Sequence, residues 1–581
     1  MGLPAALKAH KDGNIQLACH HYERALQQKD YKAALFQNYG ALLREQGEQK
    51  RASLIYKHGL KLYPRDRGIR SNYANLIKSS LPISALYIYI DILGEKLINE
   101  ETIVTNDYRN ALDILDQSSL HSWCFAICAF LIKTTSITPC LLIYFYKACM
   151  SLNVSGFVDQ SQLGLLEQLM NVTVQDLPII EQAEYQYALS WVYTKKLDFL
   201  TAKSLFFKAR TVLQSLYSFT EADAETAQNL NNINSWNLSC ALLSHQDFKD
   251  GWPLFEYGLR AGSNSPQKWQ RAMPKPFTHQ EIKIWRGEDL TSKHLLILEE
   301  QAVGDVMQFI TLLPGILSEA SSISILMSDR LIPIYERSFS QYISERRLRL
   351  ISFLSIANKK VDSSAFDYQT AIGSICAHRF TDIKEYSKYS PILKSNPVLT
   401  QQLRKDIDKS SNKKIIGISW KGGGTPSRMT EKSIFPEQFI SLFVDPDGFQ
   451  LVDLQYGDTS VTLEKWHEIG FNVYHNDNIN ALKNLDDWLS LVDACDAVVS
   501  VANTTIHGAG GLHKPTMCLL SQQHDWRWFH DPKVTRSYWY SSVGIARQSA
   551  NHNWDAAFRD VKEWLNNGCP HPVGPSSTVA V

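Results

Sequence analysis

The sequence predicts a helical repeat solenoid followed by two doubly wound α/β domains that face each other across a cleft. Three observations point there. Residues of matching type recur 34 positions apart near the N-terminus, as at Gly13 and Gly47 or Tyr22 and Tyr56. After Gly262 the hydrophobic period changes from helical to strands alternating with helices. The unusual loops of this second half, rich in Gly, Lys, Thr, Gln and Asp, all follow a strand, where doubly wound sheets take their ligands. At 581 residues the chain is too long for a single core, and 44% apolar with 20% charged residues is an ordinary globular composition.

The repeat is clearest over 5–77. Gly13, Ala18, Tyr22 and Ala25 are followed 34 positions on by Gly47, Ala52, Tyr56 and Gly59, and Asn38 and Tyr39 by Asn72 and Tyr73. Small residues at helix crossings with an aromatic one turn later resemble the tetratricopeptide repeat. In that repeat a pair of antiparallel helices stacks on the next pair because one pair cannot bury its own face. Leu81 replaces the turn glycine, so 78–180 reads as degenerate helices. The spacing returns over 181–260, first at Ala202, Phe206 and Ala209, then in a last unit with Trp236, Ala241, Gly251, Trp252 and Phe255. The helical region is thereby set at 1–262. It serves either as scaffold or as a concave surface that grips a polypeptide.

Lys+Arg and Asp+Glu both total 59, which gives no electrostatic reason to expect nucleic acid or an anionic membrane as partner. The most membrane-like stretch, Ser122–Leu152, is split by Lys133 and Pro139 into runs too short to span a bilayer, so buried helices are expected there. Ten scattered cysteines without a CxxC, and no zinc-type spacing around His513 or Cys518, point to a reducing cytoplasm and to no metal site. The N-terminus lacks the apolar core of a secretion signal, and Ala6 stands where a myristoylation signal needs Ser or Thr.

A polar, proline-rich strap, Ser263–Phe277, leads into the α/β half. Strands are expected at HLLILE, SISILM and RLRLIS in a domain at 280–405. A charged break, DIDKSSNKK, separates it from a second domain at 412–567 with strands in KIIGISW, FQLVDLQ, FNVYH, AVVSV and TMCLL. The tail 568–581 reads as disordered.

Four loops carry the candidate chemistry. After AVVSV, Asn503, Thr504 and Thr505 stand where helix N-caps stand, and the following small residues let an anion approach the first-turn N–H groups, with His507 adding a hydrogen bond or a charge. Taken alone, that stretch is better explained as an ordinary N-cap with a core histidine. After KIIGIS, Lys421, Gly422 and Gly423 offer a cation and an accessible backbone, or else a flexible turn with a solvated lysine. Asp305 begins a helix after HLLILE, either as a proton acceptor facing the cleft or as an aspartate favoured by the helix dipole. The loop LQYGD, with Gln455, is the fourth. Neither a Walker loop nor a G-x-G-x-x-G is present, which speaks against a nicotinamide cofactor. With no convincing pair of metal-binding carboxylates, a phosphate leaving group would be neutralised by Lys421, the helix terminus and Arg428.

From Trp285 to Leu565 the ordered run WRGEDL, EEQAVGDVMQF, GISWKGGG, LVDLQYGD, DDWLSLVDACDAVVSVANTTIHGAGGLHKPTMCLL, DWRWF and WYSSVGIARQ resembles bacterial GT-B glycosyltransferases of the heptosyltransferase-like group, in the version fused behind tetratricopeptide repeats. DGWPLFEYGLR is similar to the last repeat of such fusions. The resemblance implies a GT-B transferase built of two Rossmann-like domains. It implies inverting transfer from a nucleotide sugar without a metal or other cofactor, and a protein acceptor on the repeats, bacterial flagellins among such acceptors. By the resemblance Asp305 is the general base, while Lys421, Thr504, Thr505 and His507 hold the donor diphosphate. Gln455 and the segment Asp525, Trp526, Arg527, Trp528 then border the nucleotide, and Arg547 and Gln548 line or support the cleft.

Three positions depart from the family pattern: Ala302 for a glycine, Asn503 for Asp or Gln, and Lys432 in place of an arginine before Ser433. They leave room for a non-catalytic adaptor with a degenerate transferase half. A transferase acting on a lipid-linked or surface polysaccharide is the other alternative, and the lack of a basic amphipathic stretch weighs against it.

Overall fold

The computed structural model describes residues 2–152, 174–215, 221–260, 271 and 276–572, apart from 359–360, 389–390, 409–412, 425, 446–447, 523, 532 and 550–552. It divides into two compact units, Met1–Val212 and Leu213–Val581.

The first unit is a stack of helical hairpins. Leu3–Lys11 pairs with Ile15–Gln27, Ala33–Glu45 with Gln49–Leu62, and Arg67–Ile77 with Pro82–Ile98. The repeat positions are core positions: Ala18, Tyr22, Ala25, Ala52 and Tyr56 are fully buried. Gly59 is small of necessity, since a Cβ there would stand 2.6 Å from Phe36 Cβ. Gly13 and Gly47 turn the chain with φ of 74° and 78°. At each, the turn residue and its successor bond back to carbonyls of the last helical turn, as in Gly47 N–H to Arg44 O and Glu48 N–H to Leu43 O.

The degenerate stretch keeps the same device. Ser119, between helices Thr105–Gln117 and His121–Thr134, has φ 57° and the same two bonds, to Asp116 O and, from Leu120, to Leu115 O. Beyond that stretch, where the repeat spacing returns, Leu197 makes the same turn between Ile179–Lys195 and Phe199–Gln214. At Leu81 the geometry does change: φ is −137°, and Pro82 starts the next helix. The run Ser122–Leu152 forms two helices rather than one span. Among the described residues no helix is long and apolar enough to cross a membrane.

The second unit holds two all-parallel sheets. The first contains β1 (Lys283–Ile284), β2 (His294–Leu298), β3 (Ser322–Met327), β4 (Leu348–Ser352) and β5 (Tyr368–Ala371), in the order β1-β5-β2-β3-β4. The second contains β6 (Ile415–Ser419), β7 (Gln450–Asp453), β8 (Val473–Tyr474), β9 (Ala497–Val501), β10 (Thr516–Leu520) and β11 (Val543–Arg547), in the order β11-β10-β9-β6-β7-β8. Both are doubly wound. The strand order reverses beside β2 in one sheet and between β6 and β9 in the other, which sets the ligand crevices at the loops after β2, β6 and β9.

Three boundaries differ from the sequence expectation. The last helical pair, Glu221–Ser244 and Phe248–Phe255, belongs to the α/β unit rather than to a region ending at 262. Trp236, Phe248, Trp252 and Phe255 lie in one apolar core with Trp285, Ile297, Trp526 and Tyr540. Helix Pro397–Ile407, assigned by sequence to the first sheet domain, lies on helix Leu485–Ala494 of the second, and Arg404 pairs with Asp496 at 2.7 Å. Buried residues between elements, not the charged run, set that border. The presumed tail is ordered at its start: Cys569 is buried, and Trp564 Nε1 donates to Pro570 O at 2.8 Å. Residues 573–581 and most of the strap 263–277 lie outside the described residues.

Candidate active site

The carboxyl ends of β6 and β9 lie side by side, with Ser419 opposite Ser500 in register. Asn503 joins them. Its Oδ1 caps helix Thr504–Gly511 by accepting the Thr505 N–H at 2.9 Å. Its Nδ2 donates to Ser419 Oγ at 2.7 Å and to Lys421 O at 3.1 Å. An aspartate could make the cap but could not donate to Lys421 O, which accounts for asparagine rather than aspartate here.

Gln455 does a related task from the loop after β7. Its Oε1 accepts from Ser419 Oγ and from the backbone N–H of Trp420 and Lys421 at 2.8–3.0 Å, and it is nearly buried. The side chain is spent on shaping the Lys421 loop, so it supports a pocket rather than bordering a ligand. Gly422 is sealed under Lys432, whose Cβ would stand 2.7 Å from a Cβ placed there. Gly423 has only ordinary contact with Tyr456, and the Lys421 side chain is exposed. Gly423 is therefore the glycine here that internal packing does not demand.

The two sheets meet through the first turns of helices Val303–Phe309 and Thr504–Gly511. A Cβ on Gly304 would stand 3.0 Å from His507 Cδ2 and 3.4 Å from Thr504 Oγ1, so only glycine admits this approach without a shift. Asp305 Oδ2 accepts the Ala302 N–H at 2.9 Å, and Oδ1 lies 3.1 Å from Arg527 Nη2. Arg527 is buried, pairs also with Asp525 at 2.8 Å, reaches the Gln301 side chain, and lies against Phe309 and Trp526. Burial weakens its charge, and the Asp305 and Asp525 carboxylates more than restore it.

His507 sits behind this pair. Its Nδ1 is 3.2 Å from Tyr540 OH, which lies 3.4 Å from Met307 O of the other domain, and Trp528 stacks on its ring. Burial, with the Arg527 guanidinium second, pushes its pKa down to about 3. That shift favours the neutral ring, which offers a hydrogen bond and no charge.

Asp305, Thr504, His507, Asp525 and Arg527 thus come together, with Lys421 on the adjoining loop. Thr505 is buried beneath the helix, and Trp526 faces the last helical pair, packing on Trp252 and Phe255. Neither reaches the cleft as expected, because both side chains complete the apolar core. Arg547 ends β11 among His524 and His530, and Gln548 Oε1 accepts the Gln522 N–H at 3.0 Å. The Arg428 side chain lies outside the described residues. Among the described residues no group of three His, Cys, Asp or Glu is placed to hold a metal ion.

Sequence reasoning missed Tyr540 and a buried charge cluster behind the Asp305 loop. Arg271, from the strap, makes bonds of 2.7–3.2 Å to both oxygens of Glu300, reaches Glu256 and Ser374 at 2.8 Å, and lies over the Phe255 ring. Arg271 and Glu300 are sealed from solvent. Gly373 closes the site, since a Cβ there would meet Glu300 Oε1 at 2.4 Å. Nothing in the local pattern around Arg271 signals this partner.

No protein-family model matches the chain. A curated relative, Protein FlbA of Caulobacter vibrioides, is 26% identical over 269 residues, which are 45% of this chain and 44% of the relative; the match thus spans less than half of either protein. Among solved structures, a glycosyl transferase family 9 protein of Veillonella parvula superposes at TM-score 0.31 and 12% identity, covering 45% of this chain and 87% of that one. The ADP-heptose lipopolysaccharide heptosyltransferase II of E. coli does so at 0.33 and 14%, covering 47% and 98%.

Proposed function

We propose that this protein is a GT-B glycosyltransferase that moves a sugar from a nucleotide sugar to a hydroxyl of a protein held by the helical repeats, in the cytoplasm, with inversion and without a metal. The observation that carries the reading is the approach of Gly304 to His507 and Thr504, which sets the Asp305 helix and the capped Thr504 helix first turn to first turn. Asp305 takes the proton of the acceptor hydroxyl, whose oxygen attacks the anomeric carbon from the side opposite the phosphate. The bond from that carbon to the diphosphate oxygen breaks, and the diphosphate leaves with the electron pair. Lys421 and the N–H groups of the helix start stabilise it, with the His507 ring beside them.

The test is calorimetric titration with UDP, ADP, GDP, CMP and dTDP, comparing wild type with Lys421→Ala and His507→Ala. Binding of one nucleotide, lost in both variants, supports the cradle. Mass-spectrometric detection of sugar on a candidate acceptor, lost in Asp305→Ala, then tests transfer. A folded protein that binds no nucleotide sinks the reading.

One observation favours the adaptor instead: both Asp305 oxygens are already engaged, one by the Ala302 N–H and one by Arg527. Transfer requires at least one of those contacts to be shared with or yielded to the acceptor hydroxyl.

A further inference from the structure

Beside the Lys421 loop, a buried aspartate and a partly exposed histidine head a series of hydrogen bonds that the proposed transfer leaves unexplained. Asp453 is the last residue of β7, and its carboxylate is sealed from solvent. A carboxylate so placed is costly unless donors answer it. Its Oδ1 accepts the Gln455 N–H at 2.9 Å. Its Oδ2 accepts the Thr459 hydroxyl at 2.6 Å and lies 2.9 Å from Nδ1 of His475, the residue after β8. The His475 side chain is 37% exposed, so the outer end of the series is open to water.

Inward, the series reaches the candidate site. Gln455, held at its N–H by Asp453, grips Ser419 Oγ and the Trp420 and Lys421 N–H groups through Oε1. Ser419 Oγ accepts from Asn503 Nδ2 at 2.7 Å, and Asn503 caps the Thr504 helix. Hydrogen bonds thus run unbroken from His475 to the Lys421 loop and to the helix start. His475 is the member whose ordinary titration falls near neutrality. Its bond to Asp453 raises its pKa above 6.5 against the opposing effect of burial, and Asp477, 3.4 Å from Nε2, adds to the rise. Asp458, in the loop before helix Ser460–Glu468, also feels the His475 charge. The stabilisation from that charge is complete below about pH 6.5 and is lost as pH rises through the raised value. Asp453 then keeps at best a neutral donor there.

We propose that Asp453 and His475 are positioning residues that hold Gln455, and through it the Lys421 loop, in the shape that receives an anion. The anion rests on the donor-diphosphate reading of that loop; the hold on Gln455 does not.

The experiment is hydrogen–deuterium exchange of the full chain at about pH 6 and about pH 8, corrected for intrinsic exchange and read on fragments that contain the Trp420 and Lys421 amides. Wild type is compared with His475→Asn, which keeps a donor and cannot titrate, and with His475→Ala. In wild type those amides are expected to exchange severalfold faster at the higher pH. His475→Asn should lose that pH response while keeping the wild-type protection of the higher pH. His475→Ala should exchange about tenfold faster than wild type at the lower pH, the loss of a charge-assisted bond. Loop amides that ignore pH in wild type, an unchanged pH response in His475→Asn, or wild-type protection in a folded His475→Ala would each overturn the proposal. UDP, ADP, GDP, CMP and dTDP are titrated alongside, and the one that binds should bind wild type more tightly at the lower pH. A chain that shows the expected exchange and binds none of the five loses the donor reading and keeps the hold on the loop. Nucleotide binding with exchange indifferent to His475 does the reverse.

Discussion

Asp305 of the first sheet domain and Arg527 of the second stand 3.1 Å apart, carboxylate to guanidinium, with side chains 22% and 9% exposed. The residue best placed to accept a proton is thus also half of an ion pair that joins the two domains. Removing either partner asks a different question of the fold. Asp305→Asn leaves Arg527 its bond to Asp525, so the loss of stability is expected to be about 1–2 kcal/mol. Arg527→Met removes the guanidinium that Asp305 and Asp525 share, at about 3–5 kcal/mol. Urea unfolding of both variants measures the difference, and equal costs would show that Asp525 contributes nothing.

Adjacent glycines are expected to separate packing from binding. Gly422→Ala drives a Cβ to within 2.7 Å of Lys432 Cβ and should cost about 1–3 kcal/mol. Gly423→Ala meets only ordinary contact and should unfold like wild type, while weakening nucleotide binding. Melting curves alongside calorimetry distinguish the two, and wild-type nucleotide affinity in Gly423→Ala would remove that residue from the site.

Two half-buried histidines make the fold sensitive to acid. His507 and His524 have pKa values pushed down to about 3 and about 4, below the ordinary 6.5. The unfolded chain therefore takes up these protons first as pH falls. Stability from both groups is complete above about pH 6.5, declines below it, and is gone once pH has passed through 4 and 3. Denaturation midpoints between pH 7.5 and 5 should drop, with a shallower slope in His524→Gln. An unchanged slope would mean that His524 is protonated alike in both states.

Arg271 and Glu300 form a sealed pair, so breaking it should be severe. Arg271→Met is expected to cost about 3–5 kcal/mol by stranding Glu300, and the double variant Arg271→Met/Glu300→Leu should regain much of that. A double-variant cycle in urea reads the coupling, and additive losses would deny it.

Glycine at the hairpin turns should act in opposite directions at two sites. Gly47→Ala forces a side chain to φ 78° and should cost about 1 kcal/mol, whereas Leu197→Gly should relieve a comparable strain at φ 64°. Leu197 is 55% exposed, so little burial is lost with it. Thermal melting of each variant checks the sign.

These turns also show how far the sequence could be read. Gly13 and Gly47 advertise the repeat because the turn residue matches the turn. Ser119 makes the same turn with a side chain that gives no sign of it, so a regular hairpin within 78–180 looked degenerate, whereas around Leu197 and Gln246 the helix positions carried the repeat without a turn glycine. Strands with a continuous apolar run, such as AVVSV, were legible. β1, of two residues, and β5, of four, were not, because partners elsewhere rather than their own pattern make them strands. At the site, Asn503 and Asp305 were legible because capping is local chemistry. The pairing of Asp305 with Arg527, the burial of Thr505 and the grip of Gln455 on the Lys421 loop depend on segments far apart in the chain, which spacing does not encode.

The Arg271 cluster fixes where the chain tolerates being cut and rejoined. A chimera that exchanged the helical array at the apparent linker near 262 would carry away Glu256 and leave Glu300, Ser374 and half of the tryptophan cluster facing foreign side chains. A join between Val212 and Glu221 would leave every one of those contacts intact. Whatever is inherited or engineered as a replaceable cassette in this protein ends a full helical pair earlier than its sequence suggests, and the α/β half must travel with the helices Glu221–Ser244 and Phe248–Phe255 as a fixed collar.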